Sequence, residues 1–209
     1  MTYPKELKVA IHNLSSEEKD KLIFRLLKKD IVLANQLMFQ LVDTNTVEQK
    51  RALVEKELVQ FLNKSIERFY SIGYFLMDMR FASGKINDHV SITKDKYGEI
   101  SLNIQLLAKS IKYIKLYILN IKPKDSYSTC IYIIARTFKI LLLIKAQHED
   151  LHLDFRDSVI KLGKLIDENE VLMRHAINNG LDINWLLDYD IPENIVAIHK
   201  EIRANGFLK

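Results

Sequence analysis

Apolar residues recur at intervals of three and four along most of the chain, the spacing that places them on one face of an α-helix. The densest run extends from Cys130 to Ile144, where apolar side chains occupy almost every face of a helix. Because a helix that is hydrophobic all round is a buried helix, we expect a central helix at about 128–146. Three basic residues interrupt this run: Arg136, Lys139 and Lys145. Their charges argue against a membrane span, which needs roughly 20 mostly apolar residues.

The pattern after this run becomes that of an amphipathic helix. Leu151 and Phe155 begin a series at spacings of three and four that continues to Ile166. No proline occurs between Ser126 and Ile166, so one long helix is compatible with the sequence. A bend near Gln147–Asp150, where the pattern changes, is equally compatible with it.

Short helices are predicted on either side of this central segment. At the N-terminus they cover 4–12, 16–29 and 31–42, and the second begins with a capping box formed by Ser15 and Glu18. In the C-terminal part, helices are predicted at Val171–Asn179 and Glu193–Ala204. The first of these should end at Gly180 in the left-handed conformation that glycine adopts without strain.

The passage Leu14–Asp30 reads LSSEEKDKLIFRLLKKD, a helix cap followed by an amphipathic body. It resembles the opening of some bacterial all-helical families of unknown function. The resemblance is confined to the N-terminal quarter of the chain. It implies no activity and carries over no functional residue.

The longest predicted helix starts at Thr46 and continues to about Arg80. Its apolar residues alternate at spacings of three and four, as they do along the contact face of a coiled coil. The candidate residues of a dimer seam are Val54, Leu58, Leu62, Phe69 and Leu76. The same residues could instead form the spine of an antiparallel bundle within one chain. Further apolar residues widen the stripe beyond the strict heptad positions, which favours burial within the chain.

The segment Ala82–Gly98 gives the weakest helical signal, because it is polar and contains two glycines together with Asn87, Asp88 and Asp95. We expect a surface loop here, and such loops in compact domains are often functional. If the chain has two helical subdomains, this segment is where we expect the division.

Composition agrees with an all-α fold, an irregular bundle of about eight helices in a single domain at 1–209. The 209 residues include only three prolines and six glycines, most of them between the periodic segments. The single cysteine, Cys130, excludes an intrachain disulfide framework and fits a reducing compartment. The first residues, MTYPKELK, lack the apolar segment of a secretory signal, so we expect a cytoplasmic protein.

Charge is divided unevenly along the chain. From Lys94 to Lys145 there are ten basic and three acidic residues, a net charge of +7, whereas Ala146–Glu201 has a net charge of −7. We expect these two segments to neutralise each other within one domain. A basic strip in the first segment gives the alternative of a nucleic-acid interface, since lysines beside aromatic residues can hold phosphates and stack bases. Its residues are Lys109, Lys112, Lys115, Lys122 and Lys124.

Residues 148–152 read HEDLH and match the HExxH pattern of zinc metallopeptidases. On an α-helix, His148 and His152 would share one face and could bind one zinc ion, while Glu149 would act as general base on the metal-bound water. The charged Asp150 departs from the pattern of those enzymes, and no sheet is predicted to bind a peptide substrate. A metal site within the bundle that uses a further histidine, and a solvated stretch without metal, are the alternatives.

These observations favour a soluble, non-enzymatic binding or scaffold module that requires no cofactor. Its partner would be a protein, with a second copy of the chain as one candidate, and it would bind through helix faces. The two rival hypotheses are nucleic-acid binding through the basic strip and metal binding or hydrolysis through HEDLH. We expect no membrane partner.

Overall fold

A computed structural model describes residues 3–115, 117 and 122–209. The fold is all-α, and the described residues form eleven α-helices and two short 3-10 turns. In chain order the helices are α1 (Lys5–His12), α2 (Ser16–Leu27), α3 (Ile31–Leu41), α4 (Val47–Glu67), α5 (Ile72–Thr93), α6 (Lys96–Ile114), α7 (Pro123–Lys145), α8 (Arg156–Asp167), α9 (Glu170–Asn178), α10 (Asn184–Leu187) and α11 (Ile195–Ala204).

The predicted central helix is confirmed as α7, which packs against α5, α6, α9 and α11. Side chains on almost all of its faces are fully buried, among them Cys130, Ile134 and Phe138. Burial raises the pKa of the Cys130 thiol to about 12, so this cysteine is a small core residue. By length and composition Lys124–Lys145 could cross a membrane, but in this fold it is the centre of the bundle.

A second, smaller core lies where α4, α5 and α6 meet. Its buried members are Leu58, Leu62, Ala82, Ile86, Leu102 and Leu106. The larger core also includes residues of α5 and α6, so these two helices connect both cores. Helices α3 and α4 of the N-terminal half both pack against α5.

The loop expected at Ala82–Gly98 was a wrong prediction. Helix α5 runs through it to Thr93, and the turn to α6 consists of Lys94 and Asp95 alone. Three residues of this stretch, Ala82, Ile86 and His89, lie at helical spacing and are buried. Burial of that face outweighs the weak helix propensity of the polar residues around it. Helix α5, which contains most of this segment, contributes residues to both cores.

The long helix expected from Thr46 to Arg80 is two helices. Thr46 caps α4 as predicted, and Gln49 completes its capping box. The chain then leaves the helix at Arg68, and Ser71 caps α5 by accepting a hydrogen bond from the backbone N–H of Tyr74 at 3.3 Å. The predicted bend after the central helix is also a full break, occupied by two 3-10 turns at Glu149–Leu151 and Leu153–Phe155. Such breaks explain why there are more helices than the eight expected.

Candidate interaction surface

Helices α1 to α3 form an N-terminal arm (Lys5–Leu41) in which no residue is buried, and every residue of this arm is described. Many of its large apolar side chains are exposed, with Phe24 64% and Leu41 77% accessible. The complete set is Leu7, Val9, Ile11, Ile23, Phe24, Leu26, Ile31, Val32, Leu33, Met38 and Leu41. Exposed apolar side chains concentrated in one segment of a folded chain are typical of an interaction site.

The arm meets the bundle through α3, which packs against α5, while α2 packs against α3. One polar contact fixes this junction: the side-chain Nε2 of Gln36 donates a hydrogen bond to the backbone oxygen of Ser91 at 2.7 Å. A cavity of about 550 Å³ remains beneath α3. It is lined by Met38 and Phe39 of the arm and by Asp88 and Ile92 of α5.

Helix α5 has a second apolar face, directed away from the bundle. We call the open part of this face, together with Tyr70 just before the helix, the α5 stripe. Its residues are Tyr70, Tyr74, Met77 and Phe81. Tyr70 is 82% and Met77 62% accessible, and the rings of Tyr70 and Tyr74 contact each other edge to face at 5.3 Å. From Tyr74 the residues follow at spacings of three and four, which places them on one side of the helix.

The same face continues into the part of α5 that the arm covers. Lys85, Asp88 and Ile92 extend the stripe at spacings of four, three and four, and all three line the cavity under α3. Helix α3 therefore packs over part of the C-terminal half of this face, where Asp88 stays exposed, and the N-terminal half is open.

A buried ion cluster holds the base of this surface together. Arg51 of α4 donates two hydrogen bonds to the carboxylate of Asp95, at 2.7 and 2.8 Å, and His89 of α5 donates a third through Nε2 at 3.0 Å. Asp95 is also the N-cap of α6, accepting from the backbone N–H of Gly98 at 2.8 Å. Burial alone would raise the pKa of Asp95, but the bonds from His89 and Arg51 hold it far below its ordinary value. The carboxylate therefore stays ionised and ties three helices together.

The residues proposed as a dimer seam are used inside the chain. Leu58 and Leu62 are buried in the smaller core, and Leu76 of α5 is also buried. Val54 and Phe69 are half-buried and pack against the smaller and the larger core, respectively. This agrees with the intramolecular alternative for the stripe. A partner cannot reach the three leucines without opening the bundle.

The basic strip does not form one continuous cationic face. Lys109 and Lys112 line a groove beside α8, whereas Lys115 makes an ion pair with Glu168 at 2.9 Å. Lys122 and Lys124 are exposed at the start of α7, beyond the undescribed residues 118–121. The pairing of Lys115 with an acid weakens the case for a nucleic-acid interface, because it removes one of the five positive charges from contact with phosphate.

The HEDLH motif lacks the α-helix that would bring its histidines together. His148 is 76% exposed on its side chain and caps the first 3-10 turn, with its Nδ1 3.2 Å from an oxygen of Asp150. His152 donates through Nε2 to the backbone oxygen of Gln147 at 3.2 Å, so that nitrogen is occupied. Among the described residues no group of three or more His, Cys, Asp or Glu side chains could hold a metal ion. The metal hypothesis thus gains no support from this geometry.

Sequence reasoning missed the α5 stripe and the ion cluster for different reasons. The stripe was hidden because its residues were interpreted as part of one long heptad helix. A sequence signal did exist for the break, since Ser71 precedes Ile72-Gly73-Tyr74 as a helix cap would. The ion cluster had no local signal, because Arg51 and Asp95 are far apart in the chain.

The chain matches no protein-family model, no curated protein and no solved structure.

Proposed function

We propose that this protein is a non-enzymatic helical binding module that pairs with a second copy of itself through the arm and the α5 stripe. In the pair, the arm of each chain covers the α5 stripe of the other. The observation that carries the proposal is the arm itself, three helices without a buried residue and with eleven large apolar side chains exposed.

Exposed apolar area of this kind is costly in water. Burial of apolar surface stabilises by about 25 cal/mol for each Å² removed from water, so both the arm and the stripe favour a covered state. Neither surface is covered by the chain that carries it. Association with an apolar partner would supply the missing burial.

The nature of the occupant follows from continuity along α5. An arm helix, α3, already packs on the C-terminal half of α5, and the open, more apolar half offers a site for another amphipathic helix. Helices α1 and α2 are amphipathic and uncovered. Since each chain carries one arm and one open stripe, a reciprocal exchange between two copies satisfies both and closes without further copies.

The test compares two single substitutions at exposed positions, one on each surface. Phe24→Asp places a charge on the arm and Met77→Asp places one on the α5 stripe. Either should weaken self-association by about 2 kcal/mol or more, roughly thirtyfold in Kd, because a buried apolar contact is replaced by a carboxylate. Sedimentation velocity over a concentration series measures the change. Lys21→Asp, an exposed charge reversal on the same helix α2, is the control and should leave association intact.

A mixture of the two variants identifies the arrangement. The Phe24→Asp chain has an unaltered α5 stripe, and the Met77→Asp chain has an unaltered arm. One of the two arm-to-stripe contacts is therefore intact in a heterodimer, so the mixture should form heterodimers more readily than either variant forms homodimers. Arm-to-arm pairing would show no such rescue and would refute the exchange. Binding of the intact chain to lipid vesicles in place of self-association would also overturn the proposal.

A further inference from the structure

A groove of about 630 Å³ lies between α4, α6 and α8, and it includes no residue of the arm or of the α5 stripe. Three lysines line it. Lys109 and Lys112 stand one turn apart on α6, and Lys161 faces them from α8. Its apolar floor includes Leu102, Ile104 and Ala108. A volume of this size is typical of sites for small ligands.

The lysines that line this groove outnumber its acidic residues by three to one. Lys109, Lys112 and Lys161 make no ion pair with any residue in the described part of the chain. By contrast, other lysines of the basic segment do have carboxylate partners, such as Lys115 with Glu168 and Lys139 with Glu99. The groove therefore brings together three of the lysines that make no ion pair among the described residues.

The one acidic residue of the lining is already engaged. An oxygen of Glu55 accepts a hydrogen bond from the side-chain Nε2 of Gln105 at 2.5 Å. A carboxylate can only accept here, which fixes the orientation of the Gln105 amide. The Oε1 atom of Gln105 is then buried without a hydrogen-bond partner. A buried acceptor without a partner is unfavourable, so a ligand donor that reaches this oxygen would stabilise the site.

We propose that this groove binds a phosphorylated small molecule, of about the size of a nucleoside monophosphate, that carries a hydrogen-bond donor for Gln105. The three ammonium groups match the charge and the several acceptor oxygens of a phosphate ester. The Ser158 hydroxyl, one turn before Lys161 on α8, adds a neutral donor at the same wall.

A small ligand fits these observations better than a nucleic-acid strand. Strong binding of a polyanion depends on many phosphate contacts along an extended basic surface. Here three lysines, unpaired within the described ranges, line one groove, and Lys115, next along α6, is paired with Glu168. The inference is independent of the proposed self-association, because the two surfaces share no residue.

The experiment is an NMR titration of the intact 15N-labelled chain with three probes: AMP, adenosine and inorganic phosphate. AMP should cause saturable shifts at the amides of α6 and α8 that line the groove. Adenosine lacks the phosphate and inorganic phosphate lacks the base and ribose, so both should bind more weakly at the same residues. Absence of saturable shifts up to millimolar AMP, or equal shifts from AMP and adenosine, would overturn the proposal.

Substitutions locate the site. Lys112→Ala and Lys161→Ala should each weaken AMP binding about tenfold, the effect of losing one charge-assisted hydrogen bond. Lys200→Ala removes an exposed lysine from α11 and should leave affinity unchanged. Gln105→Met should weaken AMP binding while leaving the binding of inorganic phosphate unaltered. A single-stranded oligonucleotide that binds more tightly than AMP, with affinity falling steeply with salt, would contradict the small-ligand assignment.

Discussion

The carboxylate of Asp95 connects three helices, and the groups around it stabilise its negative charge. Arg51 and His89 reach it from α4 and α5, and the Gly98 N–H holds it at the start of α6. Asp95→Asn keeps the size of the side chain but removes the charge that Arg51 pairs with. Breaking a buried ion pair on one side costs about 3–5 kcal/mol, so we expect a loss in that range. Urea unfolding of both proteins at neutral pH measures it.

The same carboxylate makes stability depend on pH in a defined direction. The folded state holds the pKa of Asp95 below the ordinary value of 3.8, so its stabilising contribution is fully present above that value. As pH falls below 3.8 towards the folded pKa, the contribution is progressively lost. The difference in unfolding free energy between wild type and Asp95→Asn should therefore shrink as pH falls below 3.8. A difference that grows as pH falls below 3.8 would refute this role.

Gly98 is required by the close approach of its backbone to the Asp95 carboxylate. A Cβ at this position would lie 2.0 Å from Oδ2 of Asp95 and 2.9 Å from Nε of Arg51. Gly98→Ala should destabilise the protein. In the double variant with Asp95→Asn, the total loss of stability should be smaller than the sum of the two separate losses, because both substitutions act on one cluster. Gly84→Ala, in the interior of α5 with open space around it, is the control. That control should stabilise by about 0.5–1 kcal/mol, because alanine favours the helix.

At the scale of elements, α8 and α10 pack closely at Gly163. A Cβ there would lie 2.8 Å from the Cβ of Leu186 and 3.3 Å from its backbone carbon. Gly163→Ala should push the two helices apart and lower stability by about 1–3 kcal/mol, although alanine is the better helix former. Thermal unfolding of Gly163→Ala is compared with that of Gly73→Ala, where the new Cβ would have only Ser71 Oγ nearby, at 3.9 Å. The comparison separates the steric clash from the effect of helix propensity. A variant as stable as wild type would show that the two helices can move apart freely.

Sequence patterns located those elements whose signals are local. The capping box of Ser15 with Glu18, the start of α4 at Thr46 and the left-handed Gly180 at φ +74° are confirmed. Helix α7 was predictable because no packing arrangement can leave such an apolar helix exposed. The helical state of Ala82–Gly98 was not predictable in this way, because it depends on burial against α4 and α6.

For the molecule as a whole, contacts between the two segments offset part of the uneven charge distribution. Lys115 pairs with Glu168 and Lys145 with Glu193, and each pair joins the basic segment to the acidic one. This agrees with the expectation of neutralisation within one fold. The surfaces that carry the proposals were beyond prediction, because an exposed apolar face and a buried one have the same helical period. Only the packing shows that no residue of the arm is buried, whereas Leu58, Leu62 and Leu76 of the candidate dimer seam are.

Self-association through the arm is the central claim, and the mass of the intact protein in solution tests it most directly. Light scattering coupled to size-exclusion chromatography should give twice the 24.4 kDa mass of the chain. Dilution should shift the mass towards that of one chain, and Phe24→Asp should shift it at every concentration. A mass of 24.4 kDa at all concentrations for the intact protein would contradict the claim.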